Sequence, residues 1–153
     1  MDDYIKKIRQ YIGHEPMLIP HAVVIVLNNE NEVLIEERAD DGYLDFPGGA
    51  IDINETVEDA AKRELYEETG LIAEDLQEFK IYSGEITKYT YFSGDVIYGV
   101  DIFYICRKWY GKIKPQLIEV STLKFMKIDE IAGPLSIRNQ QVIKDLKEYV
   151  KRN

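Results

Sequence analysis

The chain has 153 residues, 45% apolar and 31% charged, a composition that predicts one globular domain over residues 1–153 and excludes a disordered segment. Its formal net charge of −9 argues against a DNA or RNA groove, which requires a basic stripe. The longest apolar run, residues 22–27, is too short to span a membrane, and the N-terminus has no apolar signal core. Because the single cysteine, Cys106, rules out a disulfide framework, we expect a cytoplasmic protein.

The first part of the chain predicts a helix over residues 1–13, in which apolar side chains recur at helical spacing before Gly13. Residues 21–27 form a β-rich apolar run, residues 28–32 have turn chemistry, and residues 33–38 form a second run. We interpret the two runs as the buried strands of a hairpin. A loop then ends in the sequence Pro-Gly-Gly.

The next segment, residues 48–71, carries seven acidic side chains in twenty-four positions. It predicts a helix over residues 57–69, since Thr56 and Asp59 resemble an N-terminal capping box and Gly70 is a natural stop. Such a density of carboxylates usually marks a solvated helix face. The direction in which these side chains point therefore decides between a surface helix and a metal site.

The second half of the chain predicts three further strands, at residues 78–86, 96–109 and 121–128, with a loop or hairpin tip at residues 91–96. An amphipathic helix over residues 137–152 follows them. The order helix, hairpin, helix, strands, helix predicts an α/β fold in which a mixed sheet is covered by helices on both faces.

On a helical wheel of the acidic segment, three glutamates fall within or beside the apolar stripe. With Val57 at zero, positions at roughly 300°, 40° and 80° form that stripe; they are Ala60, Ala61 and Leu65. Positions at about 340°, 280° and 20° are Glu64, Glu67 and Glu68. The outward side consists of Glu58, Asp59, Lys62, Tyr66 and Thr69. We therefore expect the three carboxylates to face the protein.

Burying three unpaired carboxylates on adjacent turns is unfavourable, because each loses hydration and they repel one another. Protonation, pairing with the adjacent Arg63, or a bound cation would each relieve this. A hard divalent cation such as Mg²⁺ is favoured, since it binds carboxylate oxygens and retains waters. The alternative is a solvated acidic helix with a different register.

This segment resembles the signature of the MutT-like Nudix hydrolase family, which is Gly, five residues, Glu, seven residues, Arg-Glu, aliphatic, any residue, Glu-Glu, any residue, Gly, aliphatic. All nine constrained positions are filled, by Gly49, Glu55, Arg63, Glu64, Leu65, Glu67, Glu68, Gly70 and Leu71. The resemblance implies an α/β/α sandwich with a loop-helix-loop at residues 48–71 that holds Mg²⁺ or Mn²⁺. It also implies hydrolysis of a diphosphate linked to another group.

Carried over position by position, the resemblance also implies roles for individual residues. The metal ligands that it implies are the Gly48 carbonyl and the carboxylates of Glu64, Glu67 and Glu68. Glu55 and Arg63 resemble a structural pair that orients the loop and the helix, so Glu55 supports the metal site rather than binding the metal.

Other candidate residues lie outside the motif. The base that activates water stays open between Glu64 and Glu119, and an ordinary loop role for Glu119 fits equally well. Arg38 ends a predicted strand where it could reach substrate phosphates, although a surface salt bridge fits nearly as well. We expect a surface role for Glu85 and a structural role for His21. Substrate stacking stays open among Tyr89, Tyr91, Phe92 and Tyr98.

Two functions from different classes remain. One is hydrolysis of a nucleoside diphosphate derivative such as ADP-ribose, a nucleotide sugar, a nucleoside triphosphate or a CDP-alcohol. The other is a nucleotide-binding regulatory module without hydrolysis, which would not need the complete glutamate set. Isopentenyl diphosphate isomerisation would require a catalytic cysteine, and Cys106 in an apolar strand fits that poorly. A homodimer through the N-terminal helix and exposed aromatic side chains stays open.

Overall fold

The computed structural model describes residues 3–153. Its first element, helix α1, spans Asp3–Ile12 and ends at Gly13, which adopts the left-handed conformation with φ 61°. The predicted helix over residues 1–13 is thus confirmed within this range, while its first two residues lie outside the described part of the chain. None of the helices in residues 3–153 combines the length and apolar character needed to cross a membrane.

The other elements alternate between short strands and two longer helices. In chain order, the strands that the structure describes are β1 Met17–Val26, β2 Glu32–Arg38, β3 Leu44–Asp45, β4 Gly48–Ala50, β5 Ile72–Ala73, β6 Gln77–Tyr82, β7 Lys88–Thr90, β8 Val96–Cys106, β9 Trp109–Tyr110 and β10 Val120–Lys127. Helix α2 spans Val57–Thr69 and helix α3 spans Ile137–Arg152, both at the predicted boundaries.

The strands form one mixed sheet and two smaller sheets. In the largest sheet the order is β4-β1-β8-β6, with β7 also paired to β8. β1 runs parallel to β8, and the other pairs are antiparallel. β7 and β8 flank the predicted turn at residues 91–96. A second sheet has the order β10-β2-β3, and β5 pairs with β9.

The predicted hairpin of residues 21–38 is wrong, although a turn does connect its two strands. β1 and β2 are joined by an antiparallel bridge between Leu27 and Val33 and then enter different sheets. The edges of β1 are taken by β4 and β8, and those of β2 by β10 and β3. Because a strand has only two edges for backbone hydrogen bonds, the two strands cannot pair along their length.

Side-chain alternation along β1 builds a core on each face of the main sheet. Val23 and Ile25 pack in a cluster that includes Val142 and Leu146 of α3. Ala22, Val24 and Val26 pack instead in a cluster that includes Ala60, Ala61 and Leu65 of α2. The fold is therefore the predicted α/β arrangement, with helices on both faces of a mixed sheet.

Candidate functional site

Helix α2 is fixed at both ends by local hydrogen bonds. At its N-terminus, Oγ1 of Thr56 accepts a hydrogen bond from the backbone N–H of Asp59 at 3.1 Å. At its C-terminus, Gly70 adopts φ 79° and its N–H donates to the carbonyl of Tyr66 at 2.9 Å. These caps satisfy groups that a helix end would otherwise leave unpaired, and they set the rotation of α2 about its axis.

The glycine loop before α2 lies directly against the glutamates of that helix. The N–H of Gly48 donates to Oε2 of Glu68 at 2.7 Å. A Cβ atom on Gly49 would lie 2.5 Å from the carboxyl carbon of Glu64, and one on Gly48 would lie 2.6 Å from the carbonyl oxygen of Ala22. Only glycine therefore allows the loop to approach both the helix and β1 this closely.

Arg63 ties the loop to the helix. Its Nε and Nη2 donate to the two oxygens of Glu55 at 2.7 and 3.0 Å, and Nη2 also donates to the carbonyl of Ala50 at 3.1 Å. Its Nη1 donates to Glu64 at 2.8 Å and to Glu67 at 3.3 Å. The hydrogen bonds from this guanidinium lower the pKa of Glu55. The guanidinium of Arg63 therefore hydrogen-bonds to three carboxylates and lies 3.5 Å from a fourth, that of Asp52.

The three motif glutamates are not equally buried. The side chains of Glu64 and Glu68 face the protein, as the wheel predicts, and Glu68 is only 6% exposed. The inward prediction is wrong for Glu67, whose side chain is 54% exposed. Its position borders the apolar stripe, and there the cleft beside α2 is open to solvent. The outward prediction for Thr69 is also wrong, because its hydroxyl donates to the carbonyl of Leu65 in the core.

A fourth glutamate, Glu36 on β2, lies against this group and was not identified from the sequence. It is 4% exposed, and its Oε2 has no hydrogen-bond partner within residues 3–153. Burial and the neighbouring charge of Asp45 raise its pKa to about 8. Burial and the charge of Glu36 raise the pKa of Glu68 to about 10. The sequence feature that could have pointed to Glu36 is its place directly after the apolar run Val33–Ile35. We name Glu36, Glu64, Glu67 and Glu68 the acidic cluster.

The two candidates for a base lie at the same cleft. Burial raises the pKa of Glu64, although the hydrogen bond and charge of Arg63 oppose that change. Glu119 is exposed in the turn before β10, lines the cleft, and its charge raises the pKa of Glu64 slightly further. Glu85 begins a short 3-10 turn and does not line this cleft.

Arg38 also lines the cleft, within a group of acids and a tyrosine. It donates two hydrogen bonds to Asp40, at 2.8 and 3.1 Å, and lies 3.6 Å from Asp45. Its guanidinium carbon is 5.1 Å from the ring centre of Tyr89. Although burial disfavours its charge, the hydrogen bonds to Asp40 hold its pKa above the usual value. Arg38 is therefore both salt-bridged and accessible from the cleft.

The aromatic candidates separate into two groups. Tyr89 and Tyr91 pack edge to face, with ring centres 4.8 Å apart, and both line the cleft. Phe92 is 94% exposed and Tyr98 is not among the lining residues.

A second group of polar residues in the cleft is internally paired; the sequence predicts a structural role for His21 but did not indicate the other members. His21 hydrogen-bonds to Asp101 at 2.7 Å, and Arg138 donates to Asp101 and Asp45 at 2.8 Å each. Asn139 donates to Asp45 at 2.9 Å. Burial would raise the pKa of Asp101, but the hydrogen bond from His21 and the charge of Arg138 outweigh it and lower that pKa. We name these five residues the paired cluster.

Both clusters line one cleft of about 770 Å³. This volume lies within the range of small-molecule sites, which are about 300–1,000 Å³. Across residues 3–153, no three His, Cys, Asp or Glu side chains converge in the arrangement of a formed metal site. The motif glutamates instead accept hydrogen bonds from Arg63 and the Gly48 N–H.

Comparison of the sequence with known proteins identifies related domains. A NUDIX domain family model matches residues 17–146. The 8-oxo-dGTP diphosphatase of Escherichia coli (strain K12) is 43% identical over 63 residues, which cover 39% of this chain and 49% of that protein. In three curated relatives, this chain spans between 30% and 49% of the relative's length.

Solved structures show the same fold at lower sequence identity. The MutT NUDIX hydrolase from Burkholderia pseudomallei has a TM-score of 0.72 at 19% identity, covering 84% of this chain and 97% of that chain. The NUDIX domain of Shewanella oneidensis NrtR, complexed with ADP ribose, has a TM-score of 0.67 at 21% identity, covering 98% and 99% of the respective chains. At these identities the likeness concerns the fold alone.

Proposed function

Because the chain belongs to the NUDIX domain family, we propose that it is a divalent-cation-dependent pyrophosphohydrolase that cleaves the diphosphate of a nucleoside diphosphate derivative. The observation that carries the proposal is the acidic cluster, whose buried carboxylates face a cleft beside the Gly48–Gly49 loop. Buried carboxylates without enough basic partners are costly to a fold unless they bind a cation. Their placement therefore indicates a functional site rather than a device for stability.

The donor atoms of this site fit a hard divalent cation. They are carboxylate oxygens and, if the carbonyl of Gly48 takes part, a backbone oxygen, which are the ligands that Mg²⁺ prefers. The unpartnered oxygen of Glu36 and the burial and like charges that raise the pKa values of Glu36 and Glu68 support a bound cation there. We propose Mg²⁺, with Mn²⁺ as an alternative, held by Gly48, Glu64, Glu67 and Glu68.

A bound cation would supply charge neutralisation of the diphosphate and a lower pKa for the attacking water. Glu64 or Glu119 would accept the proton of that water, whose oxygen bonds to phosphorus while the bridging P–O bond breaks and its oxygen leaves with the other phosphate. Because burial raises its pKa, an ionised Glu64 is a stronger base than an ordinary carboxylate. Arg63 and Glu55 act by holding the loop against α2, so that the carboxylates keep their positions.

Arg38 is proposed to bind substrate phosphate. Its hydrogen bonds to Asp40 involve a carboxylate that is nearly half exposed, and a phosphate oxygen could replace that exposed partner. Tyr89, beneath the guanidinium, restricts its orientation. The relatives support a nucleotide substrate, since one is named for 8-oxo-dGTP and one NUDIX domain was solved with ADP ribose. ADP-ribose, nucleotide sugars and nucleoside triphosphates are thus the substrates to test first.

The alternative function is a regulatory module that binds a nucleotide without hydrolysing it. This alternative is supported by the NrtR NUDIX domain, whose structure was solved in complex with ADP ribose. The complete set of motif residues favours the enzyme. We also propose that the chain works as one domain in the cytoplasm. The exposed rings of Tyr11 and Phe92 are compatible with a homodimer, which sedimentation would detect.

The test is hydrolysis across a panel of nucleoside diphosphate derivatives, with and without Mg²⁺ or Mn²⁺. Wild type is compared with the double variant Glu67→Gln, Glu68→Gln and with the control Glu58→Gln on the exposed side of α2. The proposal expects cation-dependent turnover that only the double variant loses while remaining folded. Tight nucleotide binding without turnover of any compound would contradict the enzyme proposal and favour the regulatory module.

A further inference from the structure

We infer that Glu36, which lies outside the Gly49–Leu71 motif, supplies a further carboxylate ligand to the cation of the acidic cluster. This inference rests on the proposed function and adds a residue from a different element, β2, to the ligands on α2 and its loop. It would make the site a bridge between the second sheet and helix α2.

The first observation is the unsatisfied oxygen of Glu36. The residue is 4% exposed, and Oε2 has no hydrogen-bond partner among the described residues. Leaving a buried polar atom unpaired costs about 1–3 kcal/mol, more when the group is charged. Natural structures keep few such atoms, and each one requires an explanation. A cation that enters the cleft would give this oxygen the partner that it lacks.

The second observation is the rigid placement of Glu36. β2 is held on one edge by β10 and on the other by β3, where Glu36 is opposite Asp45. The next residue, Glu37, accepts a hydrogen bond from the hydroxyl of Ser121 and does not line the cleft. Since neighbouring strand residues point to opposite faces, Glu36 is fixed on the cleft side. It lines the cleft together with Glu64 and Glu68.

A comparison with Asp45 shows why Glu36 is not simply part of a structural network. Asp45 pairs with Glu36 across the strands, yet its Oδ1 receives hydrogen bonds from Arg138 and Asn139. Glu36 has no comparable basic partner at its Oε2. The arrangement therefore points to a ligand from outside the chain.

The test measures Mn²⁺ binding to the protein without nucleotide, by electron paramagnetic resonance of the free ion. Glu36→Gln is compared with wild type and with the matched control Glu37→Gln on the same strand. Loss of a supporting or ligating group typically weakens metal affinity by about 10- to 100-fold, which we expect for Glu36→Gln. Glu37→Gln should bind as wild type. Unchanged affinity in Glu36→Gln would overturn the inference.

Thermal unfolding separates a cation ligand from a packing residue. Without metal, Glu36→Gln should unfold at a higher temperature than wild type, because burying a neutral amide costs less than burying an ionisable carboxyl. Added Mn²⁺ should also raise the unfolding temperature of Glu36→Gln by less than it raises that of wild type. A lower unfolding temperature without metal, with the same gain from Mn²⁺, would assign Glu36 to packing alone.

A second variant covers the case in which Glu36→Gln does not fold. Glu36→Asp keeps the charge and withdraws the oxygens by one methylene, so we expect weaker Mn²⁺ binding than in wild type. Equal binding in Glu36→Asp would count against the inference. If wild type itself binds no Mn²⁺ and shows no turnover, the proposed function fails as well. Cation-dependent turnover with normal binding in every Glu36 variant would remove only the role of Glu36.

Discussion

The acidic cluster and the paired cluster line the same cleft, yet among the described residues the buried carboxylates of the paired cluster have basic partners and those of Glu36 and Glu68 do not. In the paired cluster, Asp101 has both His21 and Arg138 as partners, and its pKa is lowered. In the acidic cluster, burial and like charges raise the pKa values of Glu36 and Glu68. The comparison indicates that one cluster is complete within the chain, while the other requires a partner from outside.

This difference separates stability from function within one cleft. A complete network of charges fixes neighbouring elements, and breaking it leaves uncompensated buried charge. An incomplete cluster lowers the stability of the free protein and gains from a bound cation.

The largest expected effect is on stability, from Arg138→Met in the paired cluster. This change leaves Asp101 and Asp45 without their shared guanidinium and removes its contact with the ring of Phe103. Breaking a buried ion pair costs about 3–5 kcal/mol, so the free energy of unfolding should fall by about that amount. Urea unfolding measures it, and Arg107→Met, at an exposed arginine, is the control. A small change would show that the paired cluster is not structural.

The next effect is on activity, from Glu68→Gln in the acidic cluster. We expect cation-dependent turnover to fall by more than about 100-fold, because a direct ligand is lost. The free energy of unfolding without metal should rise by about 1 kcal/mol or more, since the folded chain no longer has to bind a proton at this buried carboxyl. Steady-state kinetics and urea unfolding on the same preparation check both. A loss of activity that accompanies a loss of stability would contradict the comparison.

The pH dependence of stability should differ in sign between the two clusters. The folded-state pKa of Glu36 is about 8 against an ordinary value of 4.5. The unfolded chain therefore binds fewer protons than the folded chain between these values, and stability without metal falls as pH rises, by about 1 kcal/mol per pH unit. The lowered pKa of Asp101 has the opposite effect. Its contribution to stability is fully present above pH 3.8, the ordinary pKa of aspartate, and is lost as the pH falls through the lower folded-state pKa.

Urea unfolding at a series of pH values without metal measures this slope. Glu36→Gln should reduce this slope and leave the part that comes from the raised pKa of Glu68, whereas saturating Mn²⁺ should flatten it in wild type. Stability that rises with pH over this interval would show that the acidic cluster is neutralised from within the chain.

The smallest effect is expected from Arg38→Lys, which keeps the charge and removes the forked geometry. Arginine binds phosphate through two parallel hydrogen bonds, whereas lysine acts as a point charge. We expect KM to rise by about 10-fold, corresponding to about 1.4 kcal/mol, with kcat little changed. Steady-state kinetics beside Arg107→Lys provide the check. An unchanged KM would assign Arg38 to its salt bridges alone.

Local sequence patterns predicted much of the fold. The boundaries of α2 and α3 follow from caps and periodicity within a few residues of each end. The partners of β1 and β2 could not be predicted in this way. Their edges are taken by strands that lie far away in the chain or across a loop, so the apparent hairpin is divided between two sheets.

The same limit applies to the cleft. Glu64 and Glu68 were located from a motif and a helical wheel, because their geometry is local to one helix. His21 and Asp101 meet only because β1 and β8 pair in parallel register. Glu36 was missed because a run of residues buried on both faces of a strand does not show which face an acid at its end will take.

The measurement that tests the central claim most directly is anomalous diffraction from a crystal of wild-type protein equilibrated with Mn²⁺. The comparison of the two clusters predicts a Mn²⁺ peak bound by carboxylates of the acidic cluster, with Oε2 of Glu36 among its ligands, and no peak at Asp101. A peak at the paired cluster, or an acidic cluster without a peak at saturating Mn²⁺, would contradict it.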